Sequence, residues 1–256
     1  MHRVEELLTL VEAYLDELDL SEDLGALRQP MRYALDGGGK RLRPVLCLAV
    51  AEAAGADPED ALPAAAAIEL VHSFSLVHDD LPALDDDDER RGRPTVHVAF
   101  GEAAAILAGD ALLAEAFRHA LARHDPTVAR ELVDAVLGMI GGQARDVAGD
   151  DGDLRALQRL KTGRLFAASV GCALWVAGVP ESEQGLWRAF GEELGPLFQI
   201  VDDLLDGDGA VLVHGPEQAR RLADEAAVRA LARLREIPGD TMVLVEIVAG
   251  LAARTA

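Results

Sequence analysis

The sequence predicts an all-α fold, a bundle of roughly ten helices around a deep central cavity, and three observations lead to it. Apolar residues make up 50% of the chain, and Ala and Leu dominate them, a mixture that enters helices at low side-chain entropy cost. Apolar positions recur at helical spacing almost everywhere, beginning with Val4, Leu7, Leu8, Val11 and Leu15, and no convincing alternating stretch suggests a sheet. Breaks rich in Gly, Pro and Asp fall at 21–25, 37–39, 55–58, 91–94, 124–126, 149–153, 178–180, 207–216 and 237–240. None of them is a long Ser/Gly-rich linker, so a single domain spanning 1–256 is expected.

Two of the segments between breaks, 61–81 and 183–205, are long, apolar on more than one face, and end in aspartates. Such helices belong in the middle of a bundle, which would let their terminal carboxylates face one another across a cavity. The formal charge of -21 would repel a phosphate backbone, and no basic patch is segregated from it, so nucleic acid is not an expected partner. Cys47 and Cys172 are too few and too isolated for a disulfide framework or a zinc site, and reduced, buried thiols are expected. The N-terminus lacks a signal-peptide core, and the longest apolar run, 167–179, falls short of the roughly 20 residues that cross a bilayer. A cytoplasmic protein without membrane insertion is expected.

Two clusters carry chemistry. Asp79, Asp80, Asp85, Asp86, Asp87 and Asp88 crowd carboxylates that repel one another unless water, salt or a hard divalent cation screens them, and by itself this run reads equally well as a solvated loop. Asp202 and Asp206 stand one turn apart on the same face of an apolar helix, where unneutralised carboxylates are expensive, and this favours a metal site.

Six motifs then appear in order: GGKRLRP at 38–44, DDLPALD at 79–85 followed by Arg90 and Arg91, GDALL at 109–113, GGQARD at 141–146, Lys161-Thr162-Gly163, and FQIVDDLLD at 198–206. With these the chain resembles the trans-isoprenyl diphosphate synthases, the family of bacterial farnesyl and geranylgeranyl diphosphate synthases. The resemblance implies a magnesium-dependent prenyltransferase that condenses isopentenyl diphosphate with an allylic diphosphate. It implies about three Mg²⁺ ions, with Mn²⁺ as a substitute, held by Asp79, Asp85 and Asp202 and supported by Asp80, Asp203 and Asp206. Asp79 and Asp85 are six residues apart and would not share a face of an unbroken helix, so Pro82 is expected to mark a local break. Arg90, Lys161, Thr162 and Gln199 would bind the allylic diphosphate, with Asp79, Asp85, Asp202, Lys161 and Arg90 carrying the chemistry. Lys40, Arg43, His72 and Arg91 would bind isopentenyl diphosphate. The family is usually dimeric, so a homodimer is expected.

Of the 24 basic residues only Lys40 and Lys161 are lysine, leaving 22 arginines. A compact ammonium beside a phosphate is not always exchangeable for a planar fork, and both surviving lysines lie in motifs assigned to diphosphates. Phe74 and Ser75 precede Asp79 on the same helix and are expected to set chain length, with a C15 product favoured over C20. The segment 207–256 departs from the family pattern: it holds no lysine, which removes one cation expected on the allylic diphosphate. A loosely ordered stretch at 207–216 is expected there, with Arg220 or Arg221 folding back to compensate. Two other readings remain open, a weakly active or non-catalytic partner subunit and a terpene cyclase-like enzyme on the same fold.

Overall fold

The computed structural model describes residues 1–122, 126–149, 157, 159–207 and 209–255. Among these, the chain forms twelve α-helices: α1 Val4–Asp16, α2 Arg28–Leu35, α3 Leu42–Ala53, α4 Leu62–Asp79, α5 Val96–Phe100, α6 Glu102–Ala120, α7 Thr127–Val147, α8 Arg164–Val176, α9 Gly185–Asp206, α10 Gly209–His214, α11 Pro216–Glu236 and α12 Met242–Ala252. The expected breaks at 124–126 and 149–153 fall largely outside the described residues.

Runs of small apolar residues with no polar face must be buried all round, and three such runs make the centre. In α3 every residue from Pro44 to Ala51 is buried, and in α4 every residue from Ala64 to Val71. In α8 burial is nearly continuous from Leu165 to Leu174. Pro63 starts α4 in the first-turn position where its missing N–H costs nothing. The helical run Pro58–Asp79 is long and apolar enough to cross a bilayer by length and composition, and 67% of its most apolar window is buried inside the bundle.

Helix α4 packs along α6 and also meets α3 and α8, while α9 lies between α8 and α11. Two close approaches depend on glycine. A Cβ at Gly109 of α6 would fall 2.1 Å from His78 Nε2 of α4, and one at Gly195 of α9 would fall 2.7 Å from the Gly163 Cα. The second contact seats α9 against a π-turn, Arg159–Gly163, that carries Lys161.

Three expectations need correction. Segment 61–81 is central as expected, but its enclosed companions are α3 and α8 rather than 183–205, because α9 buries one face and keeps Glu192 exposed on another. The break at 91–94 contains a minimal antiparallel hairpin, Glu89–Arg90 with Arg93–Pro94, too short to show alternation in the sequence. Within the stretch expected to be loose at 207–216, residues 209–214 form α10, at whose start Asp203 Oδ2 accepts the Ala210 N–H at 2.8 Å.

Candidate active site

The C-terminal end of α4 supplies one wall. After Asp79 the chain leaves the helix: the Asp85 N–H donates to the Asp79 carbonyl at 2.9 Å, and the Leu84 and Asp86 N–H groups both donate to the Leu81 carbonyl. This turn, which contains Pro82, brings Asp85 back beside Asp79 despite their separation in sequence. Burial pushes the Asp79 carboxyl up to about 6, against the opposing pull of Lys161, with Asp85 raising it further and Arg90 lowering it. These four side chains therefore share one small volume.

Asp80, expected to support a metal, instead turns inward. It is 4% exposed, and its Oδ1 accepts from Arg90 Nε at 2.8 Å and from the Arg90 terminal nitrogen at 2.6 Å. Its place in the fold is to hold Arg90 at the mouth of the site. The following residue, Arg91, sits at φ 55, and its guanidinium lies against Gly39, 2.8 Å from where a Cβ would be. The hairpin thus carries Arg91 onto the loop that bears the exposed Lys40.

Arg43 is half-buried, with its guanidinium 4.4 Å from the Phe166 ring centroid and 5.2 Å from that of Phe198, and its enclosed Nε has no hydrogen-bond partner among the described residues. Burial lowers its pKa to about 10, although Glu69 and Asp202 act to raise it. His72 lies among four arginines; burial and the charges of Arg43, Arg91, Arg41 and Arg90 hold it well below the usual imidazole range, so it is neutral near pH 7.

The second wall is the end of α9. Asp202 and Asp206 are exposed, whereas Asp203 is buried and takes Gln199 Nε2 on Oδ1 at 2.8 Å as well as Ala210 on Oδ2. Thr162 in turn donates to Gln199 Oε1 at 3.0 Å, tying the π-turn to α9. Lys161 Nζ is 2.5 Å from Asp146 Oδ2. Arg43 on α3 and Arg91 on the hairpin both feel Asp202, so the two walls face a common space.

The oxygens present suit a hard cation, and the reluctance of half-buried Asp79 to ionise is the condition a bound divalent ion relieves. Among the described residues no group of three or more His, Cys, Asp or Glu side chains could hold an ion unaided. A cation here would need oxygens from a ligand as well as from the two walls.

Phe74 and Ser75 lie below this site on α4. The Phe74 ring is 8% exposed and packs edge-on to His78 at 5.2 Å, and His78 Nε2 lies 3.0 Å from the Ile106 carbonyl of α6. Ser75 donates to the His72 carbonyl at 2.9 Å. Arg220 and Arg221 do not fold back: both are exposed on α11, and Arg221 bonds Gln218. The C-terminal cation in the field of Asp202 is Arg254, after α12. Sequence reasoning also passed over Glu69, Arg41 and Asp146, although a lone acid inside the apolar run of α4 was a visible signal.

Because the folded pKa of Asp79 is raised above its unfolded value, its proton stabilises the fold; that contribution is full below about pH 4 and is lost as pH rises through about 6. In metal-free protein, Asp79→Asn should therefore match the parent in thermal stability near pH 4 and exceed it at about pH 7.5. Parallel melting curves for both proteins across this range would contradict the assignment.

Residues 25–219 match the family model described as polyprenyl synthetase. The chain is 38% identical over 247 residues to the farnesyl diphosphate synthase of Geobacillus stearothermophilus, an alignment covering 89% of this chain and 82% of that protein. It is 43% identical over 192 residues to the geranylgeranyl diphosphate synthase of Cyanophora paradoxa, covering 69% of this chain and 64% of the relative. Among solved structures it superposes on a geranyltransferase from Legionella pneumophila with a TM-score of 0.90 at 32% identity, covering 98% of this chain and 96% of the other. The all-helical bundle, the two aspartate-bearing walls and these matches agree, and the chain belongs to the polyprenyl synthetase family.

Proposed function

We propose that this protein is a short-chain trans-prenyltransferase that joins isopentenyl diphosphate to an allylic diphosphate, with a C15 product favoured and C20 the longer alternative. The observation that carries the reading is two aspartate-bearing helix ends, with Lys161 and Arg90 acting on Asp79 and Asp202 acting on Arg43 and Arg91. The names of the relatives, farnesyl and geranylgeranyl diphosphate synthases, support the same chemistry. A single domain spanning 1–256 fits the continuous packing of α9 onto α11 and α12, although the family match ends at residue 219.

In this reading Asp79 and Asp85 from one wall and Asp202 from the other hold Mg²⁺, with Asp206 at the outer edge. Bound divalent ions neutralise charge that develops on a leaving diphosphate. Arg90, oriented by Asp80, and Lys161 bind the allylic diphosphate, and the Thr162–Gln199–Asp203 chain fixes the turn that presents Lys161. The allylic C–O bond breaks, its electron pair leaves with the diphosphate, and the apolar walls keep water from the allylic cation. Lys40, Arg43, His72 and Arg91 hold isopentenyl diphosphate so that its double bond attacks that cation, after which the new cation gives up a proton to the released diphosphate and the double bond re-forms. Four groups for a second diphosphate favour elongation over cyclisation, which has no second diphosphate to hold. Arg254 stands where the C-terminal segment can return a cation to the Asp202 wall.

The partner surface we assign is an apolar stripe on α7, where Val133, Leu137, Ile140 and Val147 are exposed at helical spacing, flanked by Ile106 and Leu107 of α6. A second copy covering it would make the homodimer. Cys47 and Cys172, buried free thiols, suit a reducing cytoplasmic compartment.

Replacing Lys40 with Ala should raise KM for isopentenyl diphosphate, and Lys161→Ala should raise KM for the allylic substrate. Each loses a charge-assisted contact of about 1.5–3 kcal/mol, roughly ten- to a hundredfold. Equal rises in the same constant for both variants would refute the two-site assignment. Phe74→Ala should open the seam between α4 and α6 beneath Asp79 and shift the product to longer chains by chromatography; an unchanged length distribution would place the floor elsewhere.

A further inference from the structure

Helix α4 carries one acid in its apolar middle. Glu69 is 4% exposed, one turn ahead of His72 and Ser73, and a carboxylate so placed is costly unless a cation meets it. Arg41 does so: its NH1 lies 2.7 Å from Glu69 Oε1, and each side chain is 6% exposed. The remaining nitrogens of Arg41 are also committed within the protein, Nε to Glu12 at 3.0 Å and NH2 to the Leu35 carbonyl at 2.6 Å. Arg41 therefore leaves no nitrogen without a protein partner, and its own backbone sits in the left-handed region at φ 42.

The same carboxylate acts on two further guanidiniums. Arg43, two residues further along, is held over Phe166 and Phe198 with its Nε unpartnered among the described residues, and Arg91 reaches across from the hairpin to Gly39. The three guanidiniums repel one another, and the charge of Glu69 acts on all three, joined on Arg43 and Arg91 by that of Asp202. We propose that Glu69 is a positioning residue for the isopentenyl diphosphate site: pinned by Arg41 to the loop at 37–41, it lets Arg43 and Arg91 converge on one anion beside Lys40 and His72. Glu69 touches no substrate; it keeps the cationic side chains close enough together to bind one. The inference rests on the reading that these four residues hold the second diphosphate.

Steady-state kinetics with both substrates varied test it, using Glu69→Gln, Glu69→Asp, Glu12→Gln and Arg91→Ala, each checked for helical content and melting temperature. Glu69→Gln should raise KM for isopentenyl diphosphate about tenfold or more while leaving the allylic KM within about twofold. Glu69→Asp, which restores the charge, should recover part of that loss. Glu12→Gln, which loosens Arg41 from its exposed side, should change neither constant. An unchanged isopentenyl KM in folded Glu69→Gln, or an equal rise in both constants, would overturn the proposal. If Glu69→Gln fails to fold, Glu69→Asp decides: a rise confined to isopentenyl diphosphate supports the role, and no rise or equal rises defeat it. Should Arg91→Ala leave isopentenyl binding unchanged, the assignment of the site itself fails, a result distinct from failure of the Glu69 role.

Discussion

The structure turns on charge held at the end of a buried helix. Helix α4 is enclosed from Ala64 to Val71, and its end carries the half-buried Asp79 and the buried Asp80 and is rejoined by Asp85. In such surroundings like charges cannot stand together, and the fold disposes of each differently. Asp80 is neutralised by Arg90, Glu69 by Arg41, and Asp203 by two hydrogen bonds. Asp79 has no comparable ion pair among the described residues, and burial raises its pKa. The site is left short of positive charge where a metal-bound diphosphate would supply it.

The opposite imbalance exists nearby. Arg43 and Arg91 are drawn below their usual pKa by burial, and His72 is kept neutral by burial and, after it, by the arginines around it. Under the proposed function, one part of the site would take a cation with its diphosphate and the other a diphosphate alone. That asymmetry is what a reaction between two diphosphates requires, because only one of them must depart. Lys161, near the first wall, is paired with Asp146.

Much of this was legible in the sequence. Helical spacing of Ala and Leu identified the fold, and the turn at Pro82 followed from six-residue spacing that no unbroken helix could reconcile with one site. What the sequence could not resolve were contacts between distant segments. The inward rotation of Asp80 depends on where the hairpin carries Arg90, ten residues later. The central place of α8 depends on α9 having an outer partner in α11, where Arg229 meets Glu193 at 3.0 Å. At the start of helix α10 Asp203 accepts the Ala210 N–H, a contact that lysine counting could not reveal. Arg254 approaches Asp202 from the far end of the chain, beyond the reach of any local pattern.

The most direct test of the account is incubation of the purified protein with Mg²⁺, isopentenyl diphosphate and, in turn, C5, C10 and C15 allylic diphosphates, followed by product-length analysis. The account predicts elongation that stops mainly at C15, with C20 as the minor product, and none in excess chelator. Binding of both diphosphates without product from any allylic partner would contradict it.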